Sequence, residues 1–324
     1  MERRKWVLGA IGAGAVVATT ATRQRLLARW ASNPDPLNGQ PVAFPEGLRR
    51  TVRLPDGAEI STVTVGDGPT IVCVHGLTGS RHDWGPMAPK LLEAGYQLVA
   101  VEQRGHGQST TGSAGYGSAR LGADLGHVLE ELDIHATAVM GHSMGGMASM
   151  AYAVDQPEAL QRRVSTLILI ATAASLVVRG SALGFSLSGL PIPEWLVPSE
   201  KRLRVPAGLV VFGKRPSLHM IDTAIRSGRM VPQDVRAGAT SALAHHDLLD
   251  RIGTIDVPTI VIGGTHDRLI WPRWVRELAD RIPRAEIHML DGAGHMVIWE
   301  RRDEVVDLVV RFLTYHQAGA RSTV

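Results

Sequence analysis

Cysteine is almost absent from this chain. A single Cys73 in 324 residues excludes an intramolecular disulfide framework and any zinc site built from several thiolates. Aromatic residues make up only 5%, so the core is expected to consist mostly of Ala, Val, Leu and Ile. There is no repeat period, collagen triplet or low-complexity tract, which removes solenoids and fibrous proteins from consideration. Nor does the body of the chain carry an excess of one charge. Residues 1–35 hold six basic groups (Arg3, Arg4, Lys5, Arg23, Arg25, Arg29) and two acidic ones (Glu2, Asp35), and the remainder keeps 28 of the 34 basic and 29 of the 31 acidic residues, a net of −1. Such a body lacks the basic footprint of a nucleic-acid binder. What is present is ordinary: 44% apolar and 20% charged residues, over a length that can bury a sizeable core in one large domain.

The basic excess sits in the tail. Met-Glu-Arg-Arg-Lys is followed by 17 uncharged residues, Trp6–Thr22, and then by a second basic patch. A charged start before a Gly/Ala/Val-rich run reads as a secretory signal or signal-anchor, and Arg3-Arg4 ahead of Trp6-Val7-Leu8 resembles a twin-arginine export signal. The run is weakly apolar and at the short limit for a bilayer span. Residues 1–35 are therefore expected to be a signal or membrane-anchor segment and the start of a linker, with membrane association through residues 1–30 and an exported or membrane-attached location. A helix packed on the body is the alternative. The Pro-rich stretch from Asn33 to Pro45 reads as a tether.

From about residue 46 short apolar runs alternate with helical patterns, the signature of a mostly parallel sheet wrapped by helices. Leu48–Leu54 and Glu59–Val65 around Pro55-Asp56-Gly57 read as an opening hairpin. Thr70–Val74, Gln97–Val101, Ala136–Met140, Thr166–Ile170, Thr259–Ile262 and Glu286–Leu290 read as buried strands. Leu121, Leu125, Val128, Leu129 and Leu132 fall on one face of a helix, and Val305, Val309, Phe312 and Leu313 on one stripe of the last. Residues 176–255 break this rhythm. About eighty positions separate two strands there, with helical patterning after Ser217, and a stretch that long reads as an inserted lid or cap. It holds ten basic and six acidic residues.

Gly141-His142-Ser143-Met144-Gly145 follows a strand and opens a helix, the setting in which a sharp turn holds a serine oxygen clear of the backbone. A serine hydroxyl needs a base to take its proton, and the base needs an orienting acid. Asp267 follows the strand Thr259–Ile262, and His295, in Gly292-Ala293-Gly294-His295, follows Glu286–Leu290. In open α/β sheets such loops converge on one crevice. Ser143, Asp267 and His295 thus appear in nucleophile, acid, base order.

Residues 46–316 resemble the α/β-hydrolase fold superfamily, a mostly parallel central sheet flanked by helices with an inserted lid or cap. Val74-His75-Gly76-Leu77 is similar to that family's oxyanion loop, Glu102-Gln103-Arg104-Gly105-His106-Gly107-Gln108-Ser109 to its Gly-His-Gly-x-Ser segment, and Gly141–Gly146 to the monoacylglycerol-lipase and small-esterase nucleophile motif. The resemblance implies a catalytic Ser143, Asp267 and His295 and an oxyanion hole made by the N–H groups of Leu77 and Met144. His75, Gly76 and Trp84 are the expected substrate contacts. It implies a cofactor-free, metal-free serine hydrolase acting on small-molecule carboxylic esters, lipid-derived ones included. Haloperoxidase or perhydrolase, carbon–carbon hydrolase and thioesterase activities share the same three residues, and a catalytically silent binder of the same fold is the non-enzymatic alternative. An epoxide hydrolase or haloalkane dehalogenase is disfavoured, because those enzymes carry an aspartate where Ser143 stands.

The remaining candidates have plainer readings. His142 is expected to pack behind the turn, and His75 and His106 to hydrogen-bond within loops rather than ionise. His266 competes with His295 as the base but precedes the acid directly and should point elsewhere. His245-His246-Asp247 invites a metal reading that adjacent helical residues do not satisfy. Cys73 belongs to a buried strand, and Trp271 and Trp299 read as core or pocket wall.

Overall fold

The computed structural model describes residues 20–40, 42–177 and 199–321. In chain order they form α1 (Thr20–Ser32), β1 (Leu48–Arg53), β2 (Glu59–Val65), β3 (Thr70–Val74), α2 (Ala88–Glu93), β4 (Gln97–Val101), α3 (Ser118–Glu131), β5 (Thr137–His142), α4 (Met144–Asp155), α5 (Pro157–Arg163) and β6 (Val164–Ile170). There follow α6 (Glu200–Val210), α7 (Leu218–Met230), α8 (Gln233–Leu243), β7 (Thr259–Gly264), α9 (Pro272–Arg281), β8 (Ala285–Leu290), α10 (Val297–Glu300) and α11 (Arg302–Arg321).

The strands make one eight-stranded sheet in the order β1-β2-β4-β3-β5-β6-β7-β8. β1 and β2 pair as the expected hairpin, β2 meets β4 antiparallel, and every other neighbour is parallel. The chain therefore has the mostly parallel, helix-flanked sheet that its strand-and-helix rhythm indicates, and the α/β-hydrolase fold that the resemblance implies. Alternation along the strands divides the core into two faces. Val72, Val74, Val139, Leu167, Leu169 and Val261 face the cluster that α3, α4 and α9 cover. Ile71, Cys73, Met140, Ile168, Ile170, Ile260 and Ile262 face the opposite cluster, shared with α2, α10 and α11. Each of these side chains is essentially water-free, and each contributes roughly 1.5–3 kcal/mol of burial. With both faces covered, the sheet can bind only at its strand ends.

The N-terminal region departs from the expected tether. The expected signal or anchor run lies outside the described residues except for its last positions, and α1 packs on the body, the alternative reading of this segment. Trp30 is buried against Gly208 of α6, where an added Cβ would lie 2.6 Å from the indole. Arg23 donates to the Lys201 carbonyl. The Asn33 side chain donates to Pro216 O at 2.8 Å, Ser217 Oγ to Asp35 at 2.8 Å and the Phe44 N–H to His82 Nδ1 at 3.0 Å. Leu37 and Phe44 are buried. The stretch from Asn33 is thus docked rather than slack. Among the described residues no helix is long and apolar enough to cross a membrane.

The inserted stretch is helical earlier than its patterning indicates. α6 forms in spite of Pro206, because contacts with α1 and α7 override local propensity. α7 and α8 lie over the loops at the strand ends. A Cβ on Gly228 would meet the Thr78 side chain at 3.7 Å, and Gly105 already abuts Val235 of α8.

Candidate active site

β5 ends on His142, and the chain turns sharply into α4 through Ser143 (φ 52°, ψ −118°). A positive φ at a residue with a side chain is strained by roughly 1–3 kcal/mol. Three bonds hold it there: Ser143 N–H to Ile170 O (2.9 Å), Met147 N–H to Ser143 O (3.1 Å) and Thr172 Oγ to Ser143 O (2.8 Å). The flanking glycines answer to close approach. A Cβ on Gly145 would lie 2.0 Å from Val74 O, and one on Gly141 would lie 2.6 Å from Gly145 O.

Three side chains from distant parts of the sequence meet at this turn. His295 Nε2 lies 3.0 Å from Ser143 Oγ, and its Nδ1 lies 2.8 Å from Asp267 Oδ2. Asp267 Oδ1 is occupied by the N–H groups of Leu269 and Ile270, both at 2.9 Å, which fixes the carboxylate edge facing the imidazole. A carboxylate only accepts, so Nδ1 carries the proton and Nε2 is left to accept from the hydroxyl. Asp267 and His295 are 3% and 7% exposed, so water competes weakly for these bonds. Chemically this is a hydroxyl beside a base whose ring is oriented by an acid.

Gly76 lies directly against the turn; a Cβ there would sit 3.1 Å from Ser143 Cβ and 3.1 Å from His142 Nδ1. Beyond it, Thr78 takes a positive φ of 60° and its N–H donates to His106 Nε2 at 3.3 Å. Among the described residues the amides of Leu77 and Met144 donate to no protein acceptor, and that of Met144 is a free first-turn donor of α4.

Two expected substrate contacts are core residues instead. His75 is 0% exposed, accepting from Gln103 N–H at 3.0 Å and donating to Gly76 O at 2.7 Å. Trp84 is 1% exposed among Met87, Leu91 and Trp299. His75 stands within the oxyanion loop and Trp84 soon after it, and both side chains turn inward, the imidazole onto Gln103 and the indole into the core. Burial lowers the His75 pKa to about 3 and, with His295 adjacent, lowers that of His142 to about 3 as well. Both rings are neutral scaffolding. His266 donates its N–H to Ala293 O at 2.8 Å and its ring meets Thr265, pointing elsewhere as expected. His246 is buried between Ser118 and Ala173, and no group of ligating side chains among the described residues is placed to hold a metal. Cys73 is buried, and burial raises its thiol pKa.

The site has supports that spacing along the chain does not reveal. His142 Nε2 donates to the His295 carbonyl at 3.0 Å. Arg81 and Glu102, from the loops after β3 and β4, form a buried ion pair at 2.8 Å. Arg104 is wholly buried between Asp124 and Asp56. Glu300 accepts from Gly213 N–H at 2.8 Å and from Gly294 N–H at 2.9 Å, and burial pushes its carboxyl up to about 7 against the pull of those bonds.

Comparison with known proteins agrees with this architecture. The model of the alpha/beta hydrolase family matches residues 71–308. The chain is 28% identical over 284 residues to a 2-hydroxy-6-oxononadienedioate/2-hydroxy-6-oxononatrienedioate hydrolase of Cupriavidus pinatubonensis, covering 82% of this chain and 96% of that one. It is 27% identical over 263 residues to a non-heme chloroperoxidase of Streptomyces lividans, covering 76% and 92%. Among solved structures, an esterase from Exiguobacterium antarcticum superposes with a TM-score of 0.71 at 21% identity, over 82% of this chain and all of that one.

Proposed function

Because the chain belongs to the alpha/beta hydrolase family and is an enzyme, a hydrolase of that fold, we propose that it cleaves carboxylic esters, lipid-derived esters included, through an acyl-enzyme on Ser143. The reading rests on one observation: the Ser143 hydroxyl, the His295 imidazole and the Asp267 carboxylate form a continuous hydrogen-bonded line with separations of 3.0 and 2.8 Å. His295 Nε2 takes the hydroxyl proton as Ser143 Oγ attacks the carbonyl, and Asp267 steadies the imidazolium. The N–H groups of Leu77 and Met144 receive the developing oxyanion, each contributing about 2.7–4 kcal/mol, with the positive end of α4 adding to the field. His295 then protonates the leaving alcohol, and a water activated by the same imidazole releases the acid. No cofactor or metal is called on. The helices of the inserted segment serve as a cap that shapes the acyl pocket.

A panel of p-nitrophenyl esters of increasing acyl length tests the proposal. The expected result is an initial burst of one product per enzyme followed by slower turnover, absent in Ser143→Ala. Full activity in that variant would end the reading. A second reading, carbon–carbon bond hydrolysis of a dienoate, draws on the likeness to the Cupriavidus enzyme; turnover of a dienoate with inert esters would favour it. Export or membrane attachment through residues 1–30 belongs to the same proposal, supported by the charged-then-apolar order of that segment. Intact-mass measurement of the membrane and soluble fractions checks it.

A further inference from the structure

The loop that carries His295 does not lean on the sheet alone. The His295 N–H donates to Val211 O at 2.8 Å, the Met296 N–H reaches the same oxygen at 3.3 Å, and the Lys214 N–H donates to Gly292 O at 2.8 Å. Val211 and Lys214 belong to the inserted segment, just past the end of α6. The two stretches lie so close that a Cβ on Gly294 would stand 2.4 Å from Gly213 N, and one on Gly213 would stand 1.9 Å from Gly292 O. Two N–H groups at this seam, one from each stretch, converge on one carboxylate. Gly213 N–H reaches Glu300 Oε2 and Gly294 N–H reaches Oε1. Glu300 projects from the end of α10, whose Val297, Ile298 and Trp299 are anchored in the core, and the Trp299 indole donates to Asp83 O at 2.9 Å. With His142 on the His295 carbonyl, the main chain around the base is fixed at the N–H before it, its own N–H and its C=O. An imidazole turns about that main chain, so these bonds set whether Nε2 meets Ser143 while Nδ1 meets Asp267.

We propose that Glu300 is a positioning residue for the reaction, the cross-piece that locks the inserted segment to the base loop and sets the height of the His295 imidazole over Ser143. The proposal deepens the serine-hydrolase reading and rests on it. Two donors require two acceptors. A carboxylate offers both oxygens, whereas a glutamine offers one and turns an N–H toward the other donor. A misplacement on the scale of 1 Å lowers turnover by up to about 10²-fold, while a substrate held elsewhere in the pocket is bound as before.

The test compares the wild type, Glu300→Gln and Glu300→Asp in the full chain, reading kcat and KM on a p-nitrophenyl ester, the rate of fluorophosphonate labelling, and cooperative melting. In Glu300→Gln, kcat and the labelling rate should fall about tenfold to a hundredfold with KM within about threefold, and Glu300→Asp, which keeps both oxygens, should recover part of the loss. Wild-type rates in Glu300→Gln would overturn the proposal. So would a loss that active-site titration traces wholly to fewer competent molecules, each turning over at the wild-type rate. If Glu300→Gln does not melt cooperatively, Glu300→Asp decides: lowered kcat at constant KM supports the role, and unchanged kcat removes it. The proton resonance of the imidazole N–H on Asp267 reads the same geometry without turnover. It should move in the variants if Glu300 sets the ring, and a resonance identical to the wild type's would refute that. A folded wild type that takes no label defeats the serine reading instead, an outcome that differences among the variants cannot imitate.

Discussion

The two halves of the site are held in different ways. On the oxyanion side, the loops after β3 and β4 are fixed by buried side chains of the sheet domain itself. His75 is bonded to Gln103, His106 to Thr78, Arg81 to Glu102, and Arg104 to Asp56 and Asp124. On the base side, the loop after β8 is fixed through its main chain to the inserted segment, by Val211, Gly213 and Lys214. The insertion also packs on the oxyanion side, against Thr78 and Gly105. One half is preorganised by a closed polar network and the other by docking. Substitutions in the network should therefore act first on folding, and those at the docking seam first on turnover.

Replacing the reacting groups sets the scale against which both halves are measured. Ser143→Ala and Asp267→Asn should each lower kcat by about 10⁴-fold or more while leaving the melting curve nearly unchanged, as steady-state kinetics beside calorimetry will show. On the oxyanion side, Arg81→Met leaves Glu102 buried without its cation and should destabilise the fold by about 3–5 kcal/mol. Urea titration measures it, and a variant that loses activity with no loss of stability would break the contrast. On the base side, His142→Phe keeps the ring but leaves the His295 carbonyl without its donor. A penalty of about 1–3 kcal/mol for such a group should appear mainly as a roughly tenfold drop in kcat/KM.

The remaining expected effect is one of pH. Burial pushes the Asp83 carboxyl from 3.8 up to about 7 against one bond from the Ser80 N–H. The folded chain therefore retains a proton that the unfolded chain gives up between those values, so this residue subtracts stability as pH rises through that window. Asp83→Asn should melt like the wild type near the lower limit and roughly 5–10 °C above it at pH 8. A constant difference across the range would show that Asp83 does not titrate there.

Much of this was legible in the sequence because it is local. Runs such as Thr70–Val74 and Thr259–Ile262 announce themselves as β-branched stretches between turn residues, and Ser143, Asp267 and His295 each stand just past such a run. What was not legible depends on contacts between distant segments. Leu37 and Phe44 lie in a Pro-containing stretch with no period to betray the surface they cover, and the short Leu26, Leu27 and Trp30 stripe of α1 does not say what it packs against. His75 lies in the oxyanion loop and Trp84 soon after it, but both side chains turn inward. Glu300 follows His295 by five positions, and only the return of Gly213 from the insertion gives that spacing a meaning.

Peptide mapping by mass spectrometry after treatment with a fluorophosphonate tests the central claim most directly, since the reagent marks only a serine that a neighbouring base has made reactive. The account predicts a single adduct on the peptide containing Ser143, lost in Ser143→Ala and strongly slowed in His295→Ala. A folded, unmodified wild type, or equal modification in all three proteins, would contradict it.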